Sequence, residues 1–311
     1  MPNLIVFTDL DGSLLDGTTY SYNAAIPALT ALREQGIPLV LASSKTRAEM
    51  EPIRQRLDLH NPFIVENGGA VFVPHGFFEF PLERMRTRPP YQVMELGLPY
   101  HMLREVLKQI EDALETPLQG FGDLSIETIM QVTGLPRADA ILAKQREYDE
   151  PFLLQGPRPL IEEVCRQIVT RGLRWTKGGR LFHLTGDNDK GEAASILLRC
   201  YHRQQRMRGE TERIETIGIG DSINDATLLA MVDYPILVQK QDGSYDPYLV
   251  EIPVLRSARG SSLRGGQHLP DRLHEFLLLE RLWHEAIHAR LDASIHFGLH
   301  HVGRHGENGC A

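Results

Sequence analysis

Residues 4–8, 37–42 and 63–65 are short apolar runs, and the intervals between them have the spacing of amphipathic helices. Ile26, Leu29 and Leu32 mark the first helix, which should stop at Gly36, and residues 46–57 form the second. Strands separated by helices pair in parallel, because each helix returns the chain to the edge where the previous strand began. The pattern therefore predicts an α/β fold with a doubly wound, Rossmann-like parallel sheet. It resumes with a helix at 190–202 and strands at 214–219 and 235–238. Ligands of such sheets bind beyond the carboxyl ends of the strands. Asp9 and Asp11 close the first run and Ser43 and Ser44 the second, so all four fall at one sheet edge.

The interval from about 85 to 185 is far too long for a loop. Leu103, Val106, Leu107, Ile110 and Leu114 give it a helix at 99–114; a second is predicted at 159–171, with strand-like stretches at 173–175 and 181–183. The expected organisation is a discontinuous core, 1–84 and 186–260, with an inserted α/β cap, 85–185. A separate His-rich helical extension, 261–311, should contain one helix at 270–291.

Composition narrows the functional classes. Asp and Glu outnumber Lys and Arg by 41 to 33, a net charge of −8, which leaves no basic field for nucleic acid. No run approaches the ~18 apolar residues of a membrane span, and Asp9 interrupts the N-terminal apolar run as a secretory leader would not. Cys165, Cys200 and Cys310 have no metal-ligand or disulfide spacing and read as reduced thiols, so a cytoplasmic protein is expected.

Chemistry concentrates in two acidic clusters. Asp9-Leu10-Asp11-Gly12 follows one buried strand, and Gly220-Asp221-Ser222-Ile223-Asn224-Asp225 follows another. A lone D-x-D is equally a turn or helix cap; two clusters at one edge would repel unless a cation neutralised them. Oxygen ligands of this kind suit Mg²⁺. An anionic pocket with a metal accepts a phosphoryl group if cations and hydroxyls complete it, and Lys190 and Ser43 are the candidates. Other phosphate motifs fail: Ile223 occupies the third glycine position after Gly218-x-Gly220, and no G-x-x-x-x-G-K-[ST] occurs.

Asp9-Leu-Asp-Gly-Ser13, Ala42-Ser-Ser-Lys-Thr46, Asn188-Asp-Lys-Gly191 and Gly220-Asp-Ser-Ile-Asn-Asp225 together resemble the four motifs of the haloacid dehalogenase superfamily, in its Cof-like branch. The resemblance covers about residues 4–256. Glu66-Asn-Gly-Gly69, residues 143–151, Gly178-Gly-Arg-Leu-Phe-His183 and residues 235–240 further resemble the mannosyl-3-phosphoglycerate phosphatases within that branch. Ser13 and Ser43-Ser44-Lys45 depart from the commonest letters conservatively.

The resemblance implies a Mg²⁺-dependent phosphatase whose substrate is a small phosphorylated glycosyl-glycerate, mannosyl first and glucosyl as the alternative. It makes Asp9 the nucleophile and Asp11 the general acid and base. Mg²⁺ would be held by Asp9, Asp221 and the Asp11 carbonyl. Ser43 and Lys190 would hold phosphate oxygens, with Ser44 and Asn224 supporting and Asp225 orienting Lys190. Arg146 and Arg180 are implied for the glycerate carboxylate, and Tyr148 and His183 for sugar hydroxyls.

Two other classes compete. A D-x-D glycosyltransferase normally places a nucleotide-binding half before the motif, where only eight residues stand here. A receiver domain has its acceptor Asp on a middle strand and no hundred-residue insert. In the tail, His284-Glu285-Ala286-Ile287-His288 matches a zincin helix, but Leu291 and Ser294 occupy the later Gly and His positions. Leu273, Phe276, Leu279, Trp283 and Ile287 instead predict a packing or oligomerising helix, which leaves the oligomeric state open.

Overall fold

A computed structural model of the chain describes residues 3–16, 19–178, 181–240, 243–249 and 255–256. The expected tail helix, the 284–288 motif and Arg180 lie outside the described residues.

The chain begins β1 (Leu4–Thr8), α1 (Ile26–Glu34), β2 (Leu39–Ala42), α2 (Arg47–Arg56) and β3 (Phe63–Val65). It continues through β4 (Ala70–Pro74), β5 (Arg86–Arg88) and β6 (Tyr91–Glu95). A second body follows: α3 (Tyr100–Leu114), β7 (Gln119–Gly120), α4 (Ile126–Thr133), α5 (Arg137–Ala143), β8 (Asp149–Leu153), α6 (Arg158–Val169), β9 (Arg174–Gly178) and β10 (Leu181–Thr185). The chain then returns through α7 (Lys190–Met207), β11 (Glu215–Gly220), α8 (Ala226–Met231), β12 (Tyr234–Leu237) and β13 (Leu255–Arg256).

The first sheet has the order β13-β12-β11-β1-β2-β3-β4-β6-β5, parallel from β13 to β3 and antiparallel beyond. Its central strands are predominantly apolar because both faces are covered. Val6 packs with Leu29, Leu32, Met50 and Ile53 of α1 and α2, whereas Ile5 and Phe7 pack with Ala193, Leu197 and Tyr201 of α7. Burial of each such Leu, Ile or Phe side chain contributes about 1.5–3 kcal/mol.

The second sheet, β7-β8-β10-β9, is antiparallel. Leu103, Leu107 and Ile110 of α3 and Val164 and Ile168 of α6 close one face with Phe152, Phe182 and Leu184. The alternation of the strands turns Asp149, His183 and Thr185 to the other face, toward the core.

The boundary expected at residue 85 is displaced. β5 and β6 form a hairpin on β4, so residues 86–95 belong to the first sheet, and the chain leaves it where the N–H groups of Leu96 and Gly97 donate to the Gly69 carbonyl. Arg86 and Arg88 mark β5 as a charged edge strand, which is why its letters do not read as buried sheet. The pair α4 and α5, absent from the sequence reading, has only 8 and 7 residues. Its signals are local: a Ser125 N-cap and Gly134 in a left-handed C-cap.

Candidate active site

The carboxyl ends of β1, β2 and β11 meet as the topology requires. Asp9 follows β1, and its backbone N–H donates to the Ile219 carbonyl of β11 at 2.9 Å. Chain reversal after Asp11 passes through Gly12 at φ +79, and a Cβ there would stand 2.5 Å from Asp221 Oδ2. Glycine is thus required both by the backbone and by the close approach of the second acidic cluster.

Lys190, the first residue of α7, has no exposed surface, and its Nζ donates to Asp9 Oδ1 and Asp225 Oδ1 at 2.7 Å each. Asp225 Oδ2 accepts the backbone N–H groups of Asp221 (3.0 Å) and Ser222 (3.2 Å). Both Asp225 oxygens are therefore spent on holding Lys190 and the loop. Burial pushes the Asp9 carboxyl well above the ordinary carboxylate range; Lys190 pulls it back, and Asp225, Asp221 and Asp11 push it up again. Burial and the Asp225 charge push Asp221 up to about 6.

Carboxylate oxygens of Asp9, Asp221 and Asp225 lie within 4.8 Å of one another, and the buried Asp11 Oδ1 has no partner among the described residues. Three crowded carboxylates with the Lys190 ammonium between two of them leave excess negative charge, which fits a hard divalent cation. Asp9 and Asp221 are the carboxylates with oxygens to spare.

Asp11 Oδ2 pairs with Lys45 Nζ at 2.8 Å. Ser43 is buried at the end of β2 with its Oγ accepting the Lys45 N–H, and it does not line the cavity, although Ser44 and Lys45 do. Ser222 Oγ donates to Asn224 Oδ1 at 2.6 Å, and Asn224 Nδ2 lies 3.4 Å from Asn67 Oδ1.

A cavity of about 1030 Å³ opens over these groups between the two sheets. Asp9, Asp11, Lys45 and Asp221 form its core side, and Phe121, Arg146, Leu181 and His183 its cap side. Arg146 is in place, but it already donates to the Ala143 and Ser44 carbonyls at 2.9 and 2.8 Å. His183 is in place as well. Tyr148 is not: its ring packs in the core against Gly69 and its hydroxyl donates to Glu95 at 2.7 Å, so the sequence expectation of a sugar contact is corrected. The strand pattern around 148 does not reveal this, because the partner, Glu95, belongs to the β5–β6 hairpin, whose edge strand carries no apolar signal.

Sequence reasoning also passed over Glu66, Asn67 and Asp149. Glu66, fully buried, accepts the N–H groups of Glu147 (3.0 Å) and Tyr148 (2.8 Å), which ties the cap to the turn after β3. Burial raises its carboxyl to about 8, against the pull of Arg146. Because the folded value exceeds the unfolded one, the folded state holds the extra proton between about 4.5 and 8, and stability falls as pH rises through that window. Thermal melts should therefore show a Glu66→Gln variant gaining on the parent protein as pH goes from 5 to 8. A difference in melting temperature that does not change with pH would count against this role.

Comparisons with known proteins agree with the geometry. Residues 6–77 match the model of a haloacid dehalogenase-like hydrolase family. The chain is 46% identical, over 79% of its length and 88% of the relative's, to the glucosyl-3-phosphoglycerate/mannosyl-3-phosphoglycerate phosphatase of Methanococcoides burtonii. It is 36% identical to the mannosyl-3-phosphoglycerate phosphatase of Pyrococcus furiosus, over 75% and 90%. Among solved structures, haloacid dehalogenase-like hydrolases from Bacillus subtilis (TM-score 0.53, 15% identity, 75% of this chain and 88% of that one) and Bacteroides thetaiotaomicron (0.51, 18%, 75% and 87%) share the fold. With nearly four-fifths of the chain aligned to such a relative, and both acidic clusters converging on one cavity, this protein belongs to the glucosyl/mannosyl-3-phosphoglycerate phosphatase family of haloacid dehalogenase-like hydrolases.

Proposed function

We propose that the protein is a cytoplasmic, Mg²⁺-dependent phosphatase that removes the phosphate of mannosyl-3-phosphoglycerate, with glucosyl-3-phosphoglycerate as the alternative or second substrate. The observation that carries the reading is Asp9. It sits at the cavity floor with one oxygen fixed by a buried lysine and a second acidic cluster beside it. The names of the relatives supply the substrate class.

Asp9 attacks phosphorus as the bond to the glycerate oxygen breaks, forming an aspartyl phosphate. Asp11, whose Oδ2 is held by Lys45, uses its free Oδ1 to protonate the leaving oxygen. It then takes a proton from the water that hydrolyses the aspartyl phosphate, releasing phosphate and restoring Asp9. Lys190 balances charge on the equatorial oxygens, with Asp225 fixing its ammonium and Ser44 and Asn224 supporting the surrounding loops; Ser43, expected on a phosphate oxygen, instead holds the Lys45 N–H with its buried Oγ. Asp9, Asp221 and the Asp11 carbonyl would hold Mg²⁺, whose chemistry there would be Lewis-acid neutralisation of the phosphoryl charge. On the cap side, Arg146 and His183 meet the leaving group, and Arg180 is proposed from its place in the 178–183 motif alone.

Phosphate release should be measured from both glycosyl-phosphoglycerates and from a panel of other sugar phosphates, with and without chelator. We expect release from at least one of the two, lost in EDTA and restored by Mg²⁺. Hydrolysis of the panel with neither glycosyl ester above background would sink the substrate reading.

A further inference from the structure

Asp149, at the start of β8, has no exposed surface, and its carboxylate is claimed from three sides. His183 Nδ1 lies 2.9 Å from Oδ2 and 3.1 Å from Oδ1. Asn67 Nδ2, from the turn after β3 in the core, donates to Oδ2 at 2.9 Å, and Arg146 stands 3.9 Å away. The amide of Asn67 is oriented from its other end as well, since its Oδ1 faces Asn224 Nδ2 and its backbone carbonyl accepts from Asn188 Nδ2 at 3.2 Å. An ionised carboxylate can only accept, so the proton shared with His183 resides on Nδ1. That fixes the tautomer: in the neutral ring Nε2 carries a lone pair. His183 lines the cavity, and its Nε2 has no partner among the described residues.

We propose that Asp149 and Asn67 are positioning residues that hold His183 with its Nε2 as a hydrogen-bond acceptor for a hydroxyl of the leaving group, making this triad a specificity determinant of the cap. Three properties support it. His183 brings the triad to the cavity from the core-facing side of the second sheet. Its two halves come from different bodies, Asn67 from the core and Asp149 with His183 from the cap, so the ring is fully oriented only when the cap is seated over Asp9. Through Asn67 it also touches Asn224, in the loop that carries Asp221 and Asp225. Recognition of a hydroxyl is thereby coupled to the seating of the cap. An acceptor at this point selects for esters whose leaving group carries a hydroxyl, which the sugar of a glycosyl-phosphoglycerate does and simple aryl esters do not. The proposal rests on the function proposed above.

The test compares kcat/KM for the two glycosyl-phosphoglycerates with that for p-nitrophenyl phosphate, which has no hydroxyl. Loss of one hydrogen bond to substrate predicts that His183→Ala lowers kcat/KM for the glycosyl esters at least about tenfold more than for the aryl ester, mainly through KM. Asp149→Asn should reproduce the selective loss with His183 still present, because the amide N–H would face Nδ1 and drive the ring proton to Nε2. Histidine ¹⁵N spectra, with the His183 signal assigned by its disappearance in His183→Ala, should show Nε2 unprotonated in the parent protein and protonated in Asp149→Asn. Equal losses on both ester classes would overturn the proposal. So would a parent protein with its proton on Nε2, a measurement that needs no folded Asp149 variant. If the parent protein cleaves only the aryl ester, the substrate reading fails, and the tautomer still decides whether Asp149 positions the ring.

Discussion

An Asp9→Asn variant should fold, melt within a few degrees of the parent protein and release phosphate on the order of 10⁴- to 10⁶-fold more slowly. The chemical loss is large because the amide is no nucleophile and the neighbouring carboxylate, Asp11, is held on Lys45 rather than Lys190. The structural loss is small for a separate reason. Burial is the dominant influence on the Asp9 carboxyl and disfavours its charge, so a neutral isostere relieves a penalty while its carbonyl oxygen still accepts from Lys190. Lys190 keeps the second carboxylate, Asp225, and is not left unpaired. Thermal melting together with phosphate release checks both halves. Turnover above about one per cent of the parent rate, in protein whose substitution has been verified by mass, would refute the nucleophile assignment.

Lys190→Met should behave oppositely, losing both activity and stability. The substitution preserves much of the side-chain volume but strands Asp9 and Asp225, both buried, without their shared ammonium. Breaking a buried ion pair by removing one partner costs about 3–5 kcal/mol. The two carboxylates raise the folded-state pKa of Lys190 above its ordinary value despite burial, so its stabilisation is fully present below the unfolded value of 10.5 and is lost only as pH rises beyond it. Throughout the neutral range the parent protein therefore keeps the whole contribution. The variant, by contrast, should recover part of its loss at pH 5, where the stranded Asp9 carboxyl, already pushed up by burial, more readily takes up a proton. Denaturant melts at pH 5 and pH 8 measure this. A loss below about 1 kcal/mol at pH 8, well under the cost of breaking a buried pair, would mean that the ammonium is not what holds the two acids together.

The strands at Leu4–Thr8, Leu39–Ala42, Phe63–Val65 and Glu215–Gly220 were legible because burial on both faces leaves an apolar run that no surface element has. Once they were placed, chain topology alone brought Asp9, Asp11, Ser43, Asp221 and Asp225 to one edge, the need for a cation pointed to Lys190, and the family motifs added the role of each. The hairpin of β5 and β6 was not legible, since an edge strand written Arg-Thr-Arg carries no apolar signal. Residues that work across long sequence separations were hidden for another reason. Asn67 and Asp149 are 82 positions apart and Glu66 and Tyr148 likewise, so their roles exist only after the cap has docked. Tyr148 shows the converse error: a polar aromatic inside a family motif was read as a ligand contact, whereas the fold uses it as a packed hydroxyl on Glu95.

The attachments of the cap also fix a mechanical axis. Glu66 grips the backbone at 147 and 148, Leu96 and Gly97 hang on the Gly69 carbonyl, and Asn188 returns to Asn67, so both passages of the chain between core and cap gather around the four residues 66–69, with Arg146 on the Ser44 carbonyl as a further contact. A swing about that point would carry Asp149 and His183, which sit beside it, through a shorter arc than α5, which touches the core through the hydrogen bond from Thr46 to the Leu142 carbonyl. Opening of that kind would disturb the far wall of the cavity, with its residues 131–135, more than the wall that carries His183.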